Sequence, residues 1–190
     1  MNKANNIRFQ RTERRIQDFV LGFLEENPDA RLTVSDICDG LSINRSSFYI
    51  HHKDLQSVLD AVQIRLHREH MEQLKEEDVL SSPAPISAAF RLFFLHVADH
   101  YSFYRYYVKN TENPGLIGQH WREATSCLMS LKPSFFELSE VQLSYLGEFI
   151  QAGVFAVIQR WLSGSREDSI EEVTELFDII MKPLDSCWKQ

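Results

Sequence analysis

The chain has 190 residues, with 20 Lys and Arg against 27 Asp and Glu and a formal net charge of −7. Its 44% hydrophobic and 25% charged content is that of an ordinary globular protein and excludes wholesale disorder. No stretch approaches the ~18–20 uninterrupted apolar residues of a membrane-spanning helix. Cys38, Cys127 and Cys187 are too few and too widely spaced for a disulfide framework. Met1 to Gln10 are polar and basic, so the sequence predicts no secretory leader and a cytoplasmic protein with reduced thiols.

The acidic total hides an uneven distribution. Residues 1–56 carry eight basic and eight acidic side chains, and the whole excess of negative charge falls in residues 57–190. Within residues 1–17, Lys3, Arg8, Arg11, Arg14 and Arg15 face Glu13 alone. A basic arm on an acidic body points one end of a molecule at a polyanion and repels the rest.

Helical periodicity runs throughout, and β-branched alternation is absent. Ile16, Phe19, Val20, Phe23 and Leu24 follow the i, i+3, i+4, i+7, i+8 pattern of an amphipathic helix over about 11–26, ended by Asn27-Pro28. Thr33 and Asp36 form a capping-box pair opening a short helix over 33–41, with Val34, Ile37, Cys38 and Leu41 on one face. After Gly40-Leu41-Ser42-Ile43, Asn44 caps a second short helix from Arg45 to about His52. Asp54 caps a longer one with Leu55, Val58, Leu59, Val62 and Leu66 inside, unbroken until the linker Ser81-Ser82-Pro83-Ala84-Pro85. Helices are then expected over Ile86 to about His100, Phe103 to Asn110 and Leu116 to Leu131. Two more follow, from the box Ser139/Gln142 to about Ser163 and from the box Ser169/Glu172 to Lys182, ended by Pro183. The fold class is all-α: a small N-terminal unit, residues 1–56, and a larger C-terminal one, residues 57–190.

Two short helices joined by a tight turn need a third to cover them. Here 33–41 and 45–52, with the helix at 11–26, supply that arrangement, a helix-turn-helix. Ile43 and Phe48 face inward, which leaves Arg45, Ser46, Ser47, Tyr49 and His51 outside. Arg45 can reach guanine edges or phosphate, Ser47 and Tyr49 suit phosphate oxygens, and Lys53 adds another cation.

Arg14-Arg15-Ile16, Leu32-Thr33-Val34-Ser35-Asp36-Ile37 and Ile43-Asn44-Arg45-Ser46-Ser47-Phe48-Tyr49-Ile50-His51-His52-Lys53 resemble the DNA-binding domain of TetR/AcrR-type transcriptional regulators. The resemblance covers about residues 11–62 and is carried by order, spacing and the Phe-Tyr-x-His core. It implies phosphate contacts from Thr33, Ser47, Tyr49 and His51 and base readout from Arg45 and Ser46. The cap Asn44 and the cation Lys53, read from the residues themselves, complete the expected DNA-contacting set. Ser42 departs from the usual turn Gly, Ser46 from a small Gly or Ala, His52 from a packed Phe, and Leu55 from a phosphate-binding Lys.

The segments Phe90–Phe94, Asp99–Tyr104 and Gln151–Leu162 look like a C-terminal domain common in such regulators. By that resemblance the last two helices make a four-helix bundle with their copies in a homodimer. Gly147, Ala152, Gly153 and Ala156 would allow close approach there, and Phe149, Phe155 and Ile158 would supply an apolar patch. The dense aromatics with embedded polar groups, represented by Phe94, His96, Tyr104, Trp121 and Gln151, suggest a site for a small apolar or aromatic effector.

His67/His70 and His96/His100 are helical pairs, but no third ligand declares itself, so core-edge histidines are expected and no metal or cofactor. No phosphate loop, nucleophile elbow or metalloprotease motif points to an enzyme. The reading is a sequence-specific DNA-binding regulator, a ligand-responsive repressor acting as a homodimer on an operator. Its rival is a helical ligand-binding or protein-interaction module that has lost DNA binding. The acidic total and Leu55 favour the rival.

Overall fold

A computed structural model describes residues 7–77, 86–110, 119, 139–164 and 169–186. Among the described residues all regular structure is helical: α1 (Ile7–Glu26), α2 (Val34–Leu41), α3 (Arg45–His51), α4 (Leu55–Glu76), α5 (Ile86–Asp99), α6 (Tyr101–Asn110), α7 (Glu140–Ser163) and α8 (Ile170–Ser186). The expected linker at 81–85 and most of the helix at 116–131 lie outside the described residues.

The helix starts are set by local hydrogen bonds. Thr33 and Asp36 cap α2 reciprocally, and Asn44 caps α3 by accepting from the Ser47 amide. At α4, Asp54 Oδ1 accepts from the Ser57 amide at 2.7 Å and Ser57 Oγ accepts from the Asp54 amide at 3.2 Å. Ser139/Gln142 and Ser169/Glu172 do the same for α7 and α8. The stop signals hold less uniformly. Helix α8 runs on through Pro183 to Ser186 instead of ending there. Proline removes one donor from the ladder, but its fixed φ is helical, so a last turn survives it.

The contacts divide the chain into two units, residues 1–66 with 102–112, and residues 67–101 with 113–190. In the first, Ile16, Val20 and Leu24 of α1 are buried, as are Ile37 and Cys38 of α2, Phe48 of α3 and Val58, Leu59 and Val62 of α4. At Gly40 α2 lies against the Phe19 ring of α1, which a Cβ there would overlap. Polar ties reinforce this packing. Buried Arg65 donates to Asp18 Oδ1 at 2.8 Å, and Tyr107 of α6 donates to Asp60 Oδ1 at 2.8 Å. The turn between α2 and α3 passes through Ser42 at φ 53°, ψ 44°, the left-handed region that glycine adopts without penalty.

In the second unit α5 packs on α8, with Phe177 against Phe90 and Phe94 at ring separations of 5.8 and 4.7 Å. The Trp161 ring meets Tyr101 edge-on at 5.0 Å. Helix α7 is apolar on two sides. Ile150, Val154, Ile158, Trp161 and Leu162 are buried, whereas Val141, Tyr145 and Phe149, spaced i, i+4, i+8, are 65–75% exposed. That double apolarity makes α7 long and apolar enough to cross a bilayer by length and composition. Glu140, Glu148 and Arg160 nevertheless lie along it.

Candidate nucleic-acid interface

The side chains on the outer face of the α2–turn–α3 pair follow from the caps beneath them. Phe48 is fully buried and anchors α3, which turns its neighbours outward: Tyr49 is 55% exposed, and Arg45 and Ser46 are exposed. Ser47 is half-buried, at the position where the Asn44 cap receives its amide. Arg45 Nη2 reaches back to Ser35 Oγ at 3.4 Å, a long contact that leaves the guanidinium mostly in water. Lys53 is exposed beyond the end of α3, 4.0 Å from Asp54. Asn44 Oδ1 is committed to the cap, with Ser46 Oγ at 2.8 Å and the Ser47 amide at 2.7 Å, leaving its amide nitrogen as the outward group. Thr33 Oγ1 donates to Asp36 Oδ2 at 2.6 Å. The Thr33 hydroxyl and amide hold the Asp36 carboxyl below its ordinary pKa by bonding to its charged form.

His51 differs from the outward-facing expectation. Its side chain is only 7% exposed, because Phe9 stacks on the ring at 4.0 Å and Nδ1 lies 3.1 Å from Glu13 Oε2. Its neighbour His52 is buried beside Phe48, with Nε2 3.0 Å from Glu13 Oε1 but without hydrogen-bond geometry. Gln17 donates to the same carboxylate at 2.9 Å. Partial burial alone would raise the Glu13 pKa, but His52, Gln17 and His51 together outweigh it and hold the carboxyl below its ordinary value. One anion of α1 therefore grips both histidines at the end of α3. In the sequence Glu13 stands out only as the lone acid of a basic arm. The signal was there: Phe9, Glu13 and Gln17 are spaced i, i+4, i+8 and share one face of α1.

Residues 86–183, just over half of the chain, match the TetR-type family model described as a transcriptional regulator C-terminal region. The chain belongs to the TetR family of transcriptional regulators. Solved structures share the fold along nearly its full length. The dihydroxyacetone kinase operon activator DhaS matches with a TM-score of 0.70 at 16% identity, over 92% of this chain and 96% of that one. A transcriptional regulator of the TerR/AcrR family from Aquifex aeolicus VF5 matches at 0.64 and 16% identity, over 91% and 99%. No curated protein sequence matches.

The other expected residues of this TetR-family regulator are dispersed. Phe94 and His96 are buried in the second unit, Gln151 is half-buried on α7, Tyr104 is buried in the first unit, and Trp121 lies outside the described residues. A groove of about 340 Å³ in the first unit is lined by Arg31, Thr33, Gln56, Tyr106 and Asn110 among others, and not by Phe94, His96, Tyr104 or Gln151. The two histidine pairs do come together. The His96 ring lies 4.9 Å from His70 and 5.2 Å from His100. Burial, then the neighbouring imidazoles, push His70 down to about 4 and His96 to about 3, so both are neutral at pH 7. Among the described residues no three His, Cys, Asp or Glu converge as metal ligands. Of the expected dimer residues, Phe149, Ala152, Gly153 and Ala156 are exposed on α7, Phe155 is half-buried, and Ile158 lies on the covered face with Ile150 and Val154.

Proposed function

We propose that the chain is a homodimeric, ligand-responsive repressor without enzymatic activity, working in the cytoplasm. Residues 1–56 bind DNA, and residues 57–190 dimerise and take a small apolar or aromatic effector near Phe94, His96 and Gln151. Arg45 and Ser46 read bases in the major groove. Thr33, Asn44, Ser47, Tyr49, His51 and Lys53 engage the phosphates. The observation that carries this reading is the capped α2–turn–α3 pair, with Phe48 buried behind exposed Arg45, Ser46 and Tyr49. The uncovered apolar stripe of α7, with Leu176, Ile179 and Ile180 exposed on α8, supports a second copy of the chain as its cover. Two recognition helices then sit about 34–36 Å apart, one turn of DNA. An effector that binds better to a conformation with mismatched spacing releases the operator through its differential affinity.

Fluorescence anisotropy on duplex from the gene's own upstream region, against scrambled duplex at two salt concentrations, tests this reading. Tight, selective binding with a log–log salt slope of roughly −0.9 per neutralised phosphate is expected. Weak binding that is equal on both duplexes, with no palindrome recovered by genome-wide fragment selection, refutes it and favours the non-DNA module. DhaS is named as an activator, so a reporter assay on the same duplex decides the sense of regulation.

A further inference from the structure

The Glu13–His51 contact has a chemical consequence for DNA binding, and the inference rests on the reading of His51 as a phosphate contact. An ionised carboxylate only accepts hydrogen bonds. Glu13 is held in its charged form by the imidazoles and Gln17 around it, so the His51 Nδ1 that faces Oε2 at 3.1 Å must carry a proton. A neutral imidazole has one N–H, and with Nδ1 protonated the other nitrogen, Nε2, is an acceptor. A DNA phosphate oxygen is an acceptor too. At a phosphate contact neutral His51 would offer only a lone pair, so that contact requires a second proton on Nε2.

We infer that Glu13 fixes His51 in the Nδ1–H tautomer and thereby couples operator binding to the uptake of a proton by His51. The step balances simply: one proton from solvent binds Nε2, and the resulting imidazolium bridges Glu13 and the phosphate. The titratable groups in contact with His51 are Glu13 from α1 and His52 beside it, whose ring centroid is 6.5 Å away. Phe9 covers one face of the His51 ring, and buried Phe48 lies behind His52. Glu13 acts here as a positioning residue, since it touches the histidine and not the DNA.

The test measures operator affinity of the full-length protein from about pH 8 to about pH 6. One linked proton makes affinity rise by up to about tenfold per pH unit. Glu13→Gln supplies an amide that can donate to Nδ1, which frees neutral His51 to carry its proton on Nε2. Its affinity is expected to vary no more than about twofold over the same range. His51→Gln is expected to be equally flat and weaker at pH 6. His52→Phe restores an aromatic packing residue and is expected to keep the pH dependence, which separates the two histidines. Thermal unfolding at each pH identifies any variant that fails to fold. A flat wild-type profile, or a Glu13→Gln profile as steep as the wild type, overturns the inference. If the wild type shows no selective binding at any pH, the DNA-binding reading fails instead.

Discussion

Replacing Phe149 by Ala isolates the contribution of the uncovered face of α7. The side chain is 75% exposed in the protomer, so its loss costs the fold little, and Ala is the better helix former. A phenylalanine buries roughly 150–250 Å² when fully covered, so covering the free three-quarters removes about 150 Å² from water. At about 25 cal/mol per Å² that is roughly 4 kcal/mol per protomer, and in the proposed twofold dimer the residue lies at the interface twice. Side-chain ordering and imperfect packing offset part of this, leaving a net loss of about 2–4 kcal/mol, or roughly 30- to 1000-fold in the dimer Kd. Sedimentation equilibrium or mass photometry across a dilution series reads the constant directly. Thermal unfolding of the dilute monomer checks that the protomer is intact. A dimer constant within threefold of wild type, in a normally folded variant, would falsify the argument that this stripe is the self-association surface.

Four further outcomes follow from the geometry. Ser42→Gly relieves a left-handed residue and is expected to raise stability by about 1 kcal/mol, a rise of roughly 2–4 °C in Tm; an unchanged or lower Tm rejects the strain. Gly40→Ala drives a methyl into the Phe19 ring, and the overpacking is expected to exceed the helix-propensity gain and cost roughly 1–2 kcal/mol in urea unfolding. His70 and His96 have folded pKa values near 4 and 3, below the unfolded value, so the unfolded chain binds more protons and stability is lost as pH falls through 6.5. Chemical unfolding at pH 7 and 5 is expected to differ by on the order of 2–4 kcal/mol, with the difference shrinking in His70→Gln; equal stability at both pH values contradicts the burial argument. Arg45→Ala is expected to relax specificity at one operator position at a cost of about 1–3 kcal/mol, whereas equal loss on every sequence makes Arg45 a phosphate contact.

What the chain made legible was local. The caps at Thr33, Asn44, Asp54, Ser139 and Ser169 are decided by neighbours three residues apart, and each forms as its spacing implies. The burial of Phe48 and exposure of Tyr49 follow from the same short helix. What escaped depended on chain segments far apart. Glu13 and His51 are 38 positions apart, and no spacing rule joins them. Periodicity also could not assign the faces of α7, because a helix that is apolar on two sides has no single stripe. Ile158 therefore reads equally well as interface or core, and it lies in the core.

The two apolar sides of α7 are interleaved in sequence yet separate in space. Val141, Tyr145 and Phe149 can change without disturbing Ile150, Val154 or Ile158, and the reverse is also true. With the first set as the proposed dimer surface, a paralogue drifting there after gene duplication would cease to pair with its parent while its protomer stayed equally stable. Mixed pairs carrying two different DNA specificities could thus be shed through a few surface substitutions, with no passage through an unfolded ancestor.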